Sequence, residues 1–215
     1  MPGVSAIVIA AGESSRLGRP KALLPWGDKP LVQYQVSALA GAGAAEVIVV
    51  LGHNADIIAP FVRGAEALKV VINTKYQAGK TGSIKMGLRE VSQASQAVLV
   101  LAVDQPRTAA FLSRLMKAHL AQTLPVTVPV FRGRRGHPPV FSLTLLPELM
   151  AIREETQGLK EITERHRDEI HELPFDTETA VLDINTEEEY KRALRLLHPA
   201  VPSRPGKAPR LYGRS

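Results

Sequence analysis

Gly12, Arg16, Gly18 and Lys21 follow directly on the apolar run SAIVIA at residues 5–10, with mostly small and polar residues between them. Glycines where a strand enters a helix leave backbone amides free, and free amides at a helix start attract an anion. Arg16 and Lys21 add two cations within reach of one bound phosphate group. Two familiar glycine loops do not fit. A P-loop requires four residues between its glycines and a lysine after the second, whereas Gly12 and Gly18 enclose five and Arg19 follows. The dinucleotide fingerprint is absent, and Leu51-Gly52 stands where its acidic residue would end the second strand.

These residues need a scaffold. Residues 5–10, 46–52, 69–73, 97–104 and 126–131 are short β-branched runs that read as strands. Between them, residues 30–42, 81–93 and 108–122 read as helices, with a short helix after Asn54. All-apolar strands alternating with helices imply an α/β fold: three layers, with a mostly parallel central sheet covered by helices on both faces. Ligands of such sheets collect beyond the carboxyl ends of the strands. The loop after Ala10 and Asp104 both lie at such ends. Further on, residues 143–153 and 158–166 read as helices, "IHELPF" and "AVLDI" as strands, and residues 186–197 as the last helix.

The chain has 215 residues, 45% hydrophobic and 22% charged, and reads as one domain over 1–198. It contains no cysteine, which removes disulfides and thiolate chemistry. No run reaches the roughly 18 apolar residues of a membrane span, and the start lacks the marks of a secretory signal, so a cytoplasmic protein is expected. The net charge is +6, but residues 199–215 carry Arg204, Lys207, Arg210 and Arg214 with no acid. That Pro-rich basic tail reads as disordered, and without it the charge falls to +2. Aromatics are 5% of the chain and form no stacking ladder, so neither nucleic acid nor a membrane is expected as a partner.

The stretch AAGESSRLGRPK at 10–21 resembles the A-G-x-x-x-R-x-G-x-x-K signature of nucleotidyltransferases with a glycosyltransferase-A-like, Rossmann-related fold. The resemblance runs over residues 4–197 and takes in "GKTGSIKMGL" (79–88), "VDQP" (103–106), "GHPPVF" (136–141) and "LDINTEEEY" (182–190). It is nearest to the MobA-like family, and within that to the molybdenum cofactor cytidylyl- and guanylyltransferases. It implies that Arg16 and Lys21 bind the phosphates of a nucleoside triphosphate, with Ala10, Ala11, Gly12 and Gly18 shaping the loop. It implies a magnesium ion held by Asp104 and by Asp183 or Asn185, contact of Ser83 with the base, and His137 and Lys160 on the side of a phosphorylated acceptor.

Each residue also has a plainer reading: Asp104 and Ser83 suit helix N-caps, and His137 suits a hydrogen bond that steadies its loop. The absence of a histidine–carboxylate or serine–histidine arrangement is no obstacle, because a phosphomonoester acceptor is already anionic at neutral pH. Catalysis then reduces to alignment and charge neutralisation.

Ala11 stands where guanylyl members usually carry glycine, which narrows the space for a purine and favours CTP over GTP. Molybdopterin is the first expectation for the acceptor, with a molybdoenzyme receiving the product. The family's Gly-Asp-x-Gly-x-Arg appears here as ETQGLK, residues 155–160, with Thr156 and Lys160 replacing Asp and Arg. A sugar or polyol phosphate therefore stays open, as does a non-catalytic cofactor-binding or insertion protein.

Overall fold

Alternation along the first strand sets the architecture. In β1 (Val4–Ala10) Ala6, Val8 and Ala10 pack into one hydrophobic cluster while Ile7 and Ile9 pack into another. A strand buried on both faces needs cover on both. The computed structural model describes residues 3–13, 17–63 and 67–197; Arg16 and the basic tail lie outside them.

After a turn at Lys21–Leu23, a short hairpin of β2 (Pro25–Trp26) and β3 (Lys29–Pro30) leads into α1 (Leu31–Gly41). Next come β4 (Glu46–Leu51), α2 (Ala55–Ile58), β5 (Leu68–Ile72), α3 (Lys80–Arg89), β6 (Ala97–Ala102) and α4 (Ala109–Leu120). The second half holds β7 (Val126–Phe131), β8 (Arg134–Arg135), β9 (Val140–Ser142), α5 (Leu146–Ala151), α6 (Leu159–Arg165), β10 (Ile170–Pro174) and α7 (Glu187–Leu197).

The main sheet runs β10-β7-β9-β6-β1-β4-β5, with β8 paired to β7. β1 is parallel to β4 and β6, β4 to β5, and β10 to β7, while β9 is antiparallel to both β6 and β7. α1, α4 and α7 cover one face through Leu31, Leu39, Leu112, Leu115 and Tyr190. α3, α5 and α6 cover the other through Ile84, Leu88, Leu149 and Ile162. Gly87 lets α3 sit close to the sheet, since a Cβ there would lie 2.6 Å from Ile7 Cγ2. This is the expected three-layer, mostly parallel α/β fold.

Three expectations need correction. β5 is an edge strand with Val70 and Ile72 exposed, so it is not covered on both sides. "AVLDI" is not a strand: residues Glu178–Val181 form a 3-10 turn, and 182–185 continue as an irregular segment. Asp183 and Asn185 therefore do not share a strand face. The strand expected at 97–104 stops at Ala102, which puts Asp104 in the turn beyond it. Among the described residues no helix is long and apolar enough to cross a membrane.

Candidate active site

The turn after β6 is held from behind. Gln35 of α1, fully buried, donates from Nε2 to the carbonyl of Gln105 at 3.0 Å. On the other side, the Ile184 N–H donates to the Asp104 carbonyl at 2.8 Å, which binds the LDIN segment to the same turn. Thr186 and Glu189 then form a capping box at the start of α7: Thr186 Oγ1 accepts from Glu189 N at 3.2 Å, and Glu189 Oε2 accepts from Thr186 N at 2.9 Å. Glu189 Oε2 also accepts from Asn185 N at 2.7 Å, so the backbone carrying Asn185 is fixed.

These constraints bring three predicted residues together. Lys21 Nζ donates to Asp104 Oδ2 at 2.7 Å and to Asn185 Oδ1 at 2.9 Å. The Lys21 side chain is 13% exposed and that of Asp104 24%, so the pair is only partly screened by water. Asp104 does not cap α4, because Thr108 does so by accepting from Phe111 N. Asp183 has its Oδ1 buried without a hydrogen bond. An orphaned carboxylate oxygen is costly unless something positive meets it.

A cavity of about 260 Å³ opens beside this cluster, lined by Ala10, Ala11, Gly12, Lys21, Tyr76, Lys80, Ser83 and Asp104 among others. Six of the predicted residues thus share one hollow at the carboxyl ends of β1 and β6. Gly18 does not line it; its φ of +64° accounts for the glycine. Ser83 lies inside α3, past the cap residue Gly79, so it is no N-cap. That service comes from Glu154, whose Oε2 accepts from Thr81 N at 2.9 Å and Thr81 Oγ1 at 2.8 Å. The amide bond from Thr81 is the main reason the Glu154 carboxyl lies below its ordinary pKa.

A second cavity, about 440 Å³, meets the first at Lys80 and Ala102. Its floor is apolar, from Ile84, Val100, Val128 and Leu159, and its rim carries Arg135, His137, Lys160 and Glu154. Both predicted acceptor-side residues, His137 and Lys160, line it. Protein packed around the His137 ring lowers its pKa; Asp183 and Asp104 oppose that effect, while Lys80 and Arg107 reinforce it.

Sequence reasoning passed over three residues here. Arg107 is fully buried and donates from Nε to His137 O, from Nη1 to Pro106 O and Leu182 O, and from Nη2 to Ala180 O, at 2.8–3.2 Å. One guanidinium thereby joins the three loops that carry Asp104, His137 and Asp183. Desolvation draws its pKa down to about 10, against the pull of Asp183 and Asp104, so it stays charged at neutral pH. Only an arginine after "DQP" hinted at it. Gly52 is the second: a Cβ there would lie 2.7 Å from Ala11 O and from Tyr76 Cβ, so glycine alone lets these walls close. Lys80 stands where the two cavities join.

Among the described residues, no three His, Asp or Glu side chains converge as a self-sufficient metal cage. Yet a cationic ammonium already lies between the oxygens of Asp104 and Asn185, and Asp183 offers an oxygen with no partner. This donor set is all hard oxygen and suits a divalent ion that also takes ligands from a phosphate substrate.

A family profile described as the MobA-like NTP transferase domain matches residues 6–170. Nicotine blue oxidoreductase from Paenarthrobacter nicotinovorans is 28% identical over 201 residues, covering 90% of this chain and 98% of that protein. The CMP-5'-(3-aminopropyl)phosphonate synthase of Streptomyces rubellomurinus is 33% identical over 137 residues, 59% of this chain but only 21% of the synthase. The chain likewise spans well under two thirds of the bifunctional GlmU proteins that it matches. Among solved structures, Rv0371c of Mycobacterium tuberculosis H37Rv superimposes with a TM-score of 0.76 at 28% identity, over 90% of this chain and 98% of its own. Its complex with manganese superimposes with a TM-score of 0.73 at 25% identity.

Proposed function

The chain belongs to the MobA-like NTP transferase family and is a nucleotidyltransferase, and on that premise we propose that residues 1–198 form one domain transferring CMP from CTP to a phosphorylated small molecule. The observation that carries this is the pair of cavities meeting at Lys80, one beside the Lys21–Asp104–Asn185 cluster and the other carrying Arg135, His137, Lys160 and Glu154 over an apolar floor. The first cavity takes the nucleotide. Lys21 meets its phosphates, and Arg16, outside the described residues, is assigned the same task by its place in the signature.

Asp104, Asp183 and Asn185 would hold magnesium, a reading supported by their oxygens and by the manganese complex of Rv0371c. Such an ion, when bound, neutralises charge on the phosphate oxygens. The acceptor lies in the second cavity with its phosphoryl oxygen toward Lys80, so that attack on the α-phosphorus expels pyrophosphate on the side of the glycine loop. His137 and Lys160 bind the acceptor and do no proton transfer, because the nucleophile is already anionic.

CTP is preferred over GTP because Ala11, Gly52 and Tyr76 close the cavity tightly. Molybdopterin is the first acceptor to test, and a molybdoenzyme taking up the product belongs to the same reading. A phosphorylated sugar, a polyol phosphate or a phosphonate is the second choice, favoured by Lys160 in place of arginine and by the phosphonate synthase relative. Pyrophosphate release from CTP, with magnesium and each acceptor in turn, tests the proposal. Turnover with one of them is expected. Tight CTP binding with no turnover on any acceptor favours a binding protein that kept the fold.

A further inference from the structure

β9 lies between β6 and β7 but is only 3 residues long. Its first residue, Val140, pairs with Leu99 of β6 and with Thr127 of β7, so beyond those two positions no strand separates β6 from β7. The second cavity opens in that gap, where Val100, Ala102, Val128 and Pro139 line it. A strand edge that loses its neighbour is left with unpaired amides. The Val100 N–H finds the Pro139 carbonyl at 3.3 Å. Two residues on, the Ala102 N–H faces the same edge, and it donates to the side-chain Oε1 of Gln105 at 3.4 Å. The Gln105 backbone is tied down as well: its N–H donates to Ala102 O at 3.0 Å, and its carbonyl accepts from Gln35 Nε2 at 3.0 Å.

Only the carbonyl end of a carboxamide can meet the Ala102 N–H, so the NH2 end of Gln105 is turned away from the strand. Gln105 is 7% exposed and lines the second cavity. Its Nε2 has no partner among the described residues, yet it is not one of the sealed polar atoms of the interior, so it opens on that cavity. We propose that Gln105 selects the acceptor, its NH2 requiring a carbonyl oxygen or an unprotonated ring nitrogen on the body of the phosphorylated molecule. Ile84, Val100, Val128 and Leu159 offer the rest of that body no hydrogen bond, so the hydroxyls of a polyol would be buried there unpaired. A purely apolar body would leave the Gln105 NH2 unmet. The class that satisfies both is a phosphomonoester with a largely apolar or aromatic body that carries one such oxygen or nitrogen. A site built around a fixed polar group rejects the analogue that lacks its counterpart more strongly than shape alone does. The inference rests on the reading of the second cavity as the acceptor site.

Two probes of equal charge and nearly equal shape test it: 4-acetylbenzyl phosphate, which carries a carbonyl oxygen, and 4-isopropenylbenzyl phosphate, which has a methylene group in its place. Each is titrated into the whole protein and followed by NMR, with glutamine side chains labelled with nitrogen-15. Wild type is expected to bind the acetyl compound about tenfold tighter, as one unmet donor costs, and to shift the Gln105 NH2 signals on binding it. Gln105→Met, which removes the donor, is expected to bind both probes equally. So is Gln105→Glu, which keeps an oxygen on the Ala102 N–H; its added negative charge weakens both probes alike and cancels in the ratio. Equal binding by wild type, unmoved Gln105 signals, or a preference that survives in either variant overturns the inference alone. If neither probe binds, or neither shifts the methyl signals of Val128 and Leu159, the acceptor-site reading beneath it falls.

Discussion

Lys21 Nζ lies 2.7 Å from Asp104 Oδ2 and donates to it, while also donating to Asn185 Oδ1 at 2.9 Å. The ammonium thus occupies the place between two oxygens that the proposed mechanism reserves for a divalent ion. On the proposed function the two cations would compete for Asp104, and a triphosphate, by drawing Lys21 toward itself, would release the carboxylate.

Lys21→Met is therefore expected to have two effects of opposite sign. Turnover should fall, since a charge-assisted contact to phosphate is worth about 1.5–3 kcal/mol, or roughly 10–150-fold in kcat/KM. Manganese binding to the nucleotide-free protein, followed by electron paramagnetic resonance, should become tighter because the competing ammonium is gone. Unchanged metal affinity would show that Lys21 and the metal do not share the site.

Arg107 is expected to matter for stability as much as for rate. Replacing it by Met leaves the carbonyls of Pro106, His137, Ala180 and Leu182 without their donor and two nearby aspartates without its charge. Breaking a buried ionic arrangement from one side costs about 3–5 kcal/mol, and in a protein of this size each kcal/mol is worth roughly 2–4 °C in Tm. Thermal unfolding should show a drop on the order of 10 °C. Lys160→Ala, on an open rim, should leave Tm unchanged.

What could be read from the chain was local. Ala10, Gly12, Lys21, Ser83 and Asp104 lie in short segments whose period and ends are visible in the one-dimensional pattern, and the structure gathers them in one cavity. What could not be read depends on contacts between distant segments. Arg107 matters because residues 137, 180 and 182 fold over it. Gly52 matters because Ala11 and Tyr76 close upon it. "AVLDI" has the apolar run of a strand, but the Ala180 carbonyl goes to His137 N and Arg107, so the segment never enters the sheet. Periodicity alone does not distinguish a strand from a buried irregular segment of that length.

Acid should weaken the fold through His119. Its ring is 5% exposed, bonded to Thr127 Oγ1 at 2.9 Å, and burial lowers its pKa from 6.5 to about 4, with His171 adding to the effect. A depressed histidine binds its proton more readily in the unfolded chain. Stability is therefore full above about pH 6.5 and declines as pH falls toward 4, by on the order of 3 kcal/mol from this group. Urea midpoints measured between pH 4 and 7 should rise with pH, and His119→Gln should flatten that rise. An equal slope in the variant would assign the acid sensitivity to other groups.

The two aspartates should separate by role. Asp104 holds its carboxylate toward Lys21 and the nucleotide cavity, whereas Asp183 keeps Oδ1 buried without a partner and within the electrostatic reach of Arg107 and His137. Asp104→Asn keeps the shape and removes the charge, so kcat with magnesium should fall by two orders of magnitude or more while metal-free CTP binding stays close to wild type. The expectation follows from a role exerted mainly in the transition state, where charge on the leaving pyrophosphate grows. Asp183→Asn should cost less, because Asn185 supplies a second oxygen near Asp104. The pair Asp183→Asn and Asn185→Ala should cost more than the sum of the two single changes, since each oxygen compensates for loss of the other. Strict additivity, measured as a double-mutant cycle on kcat/KM at fixed magnesium, would mean that the two do not serve the same ion, and full turnover from Asp104→Asn would remove this site from the chemistry.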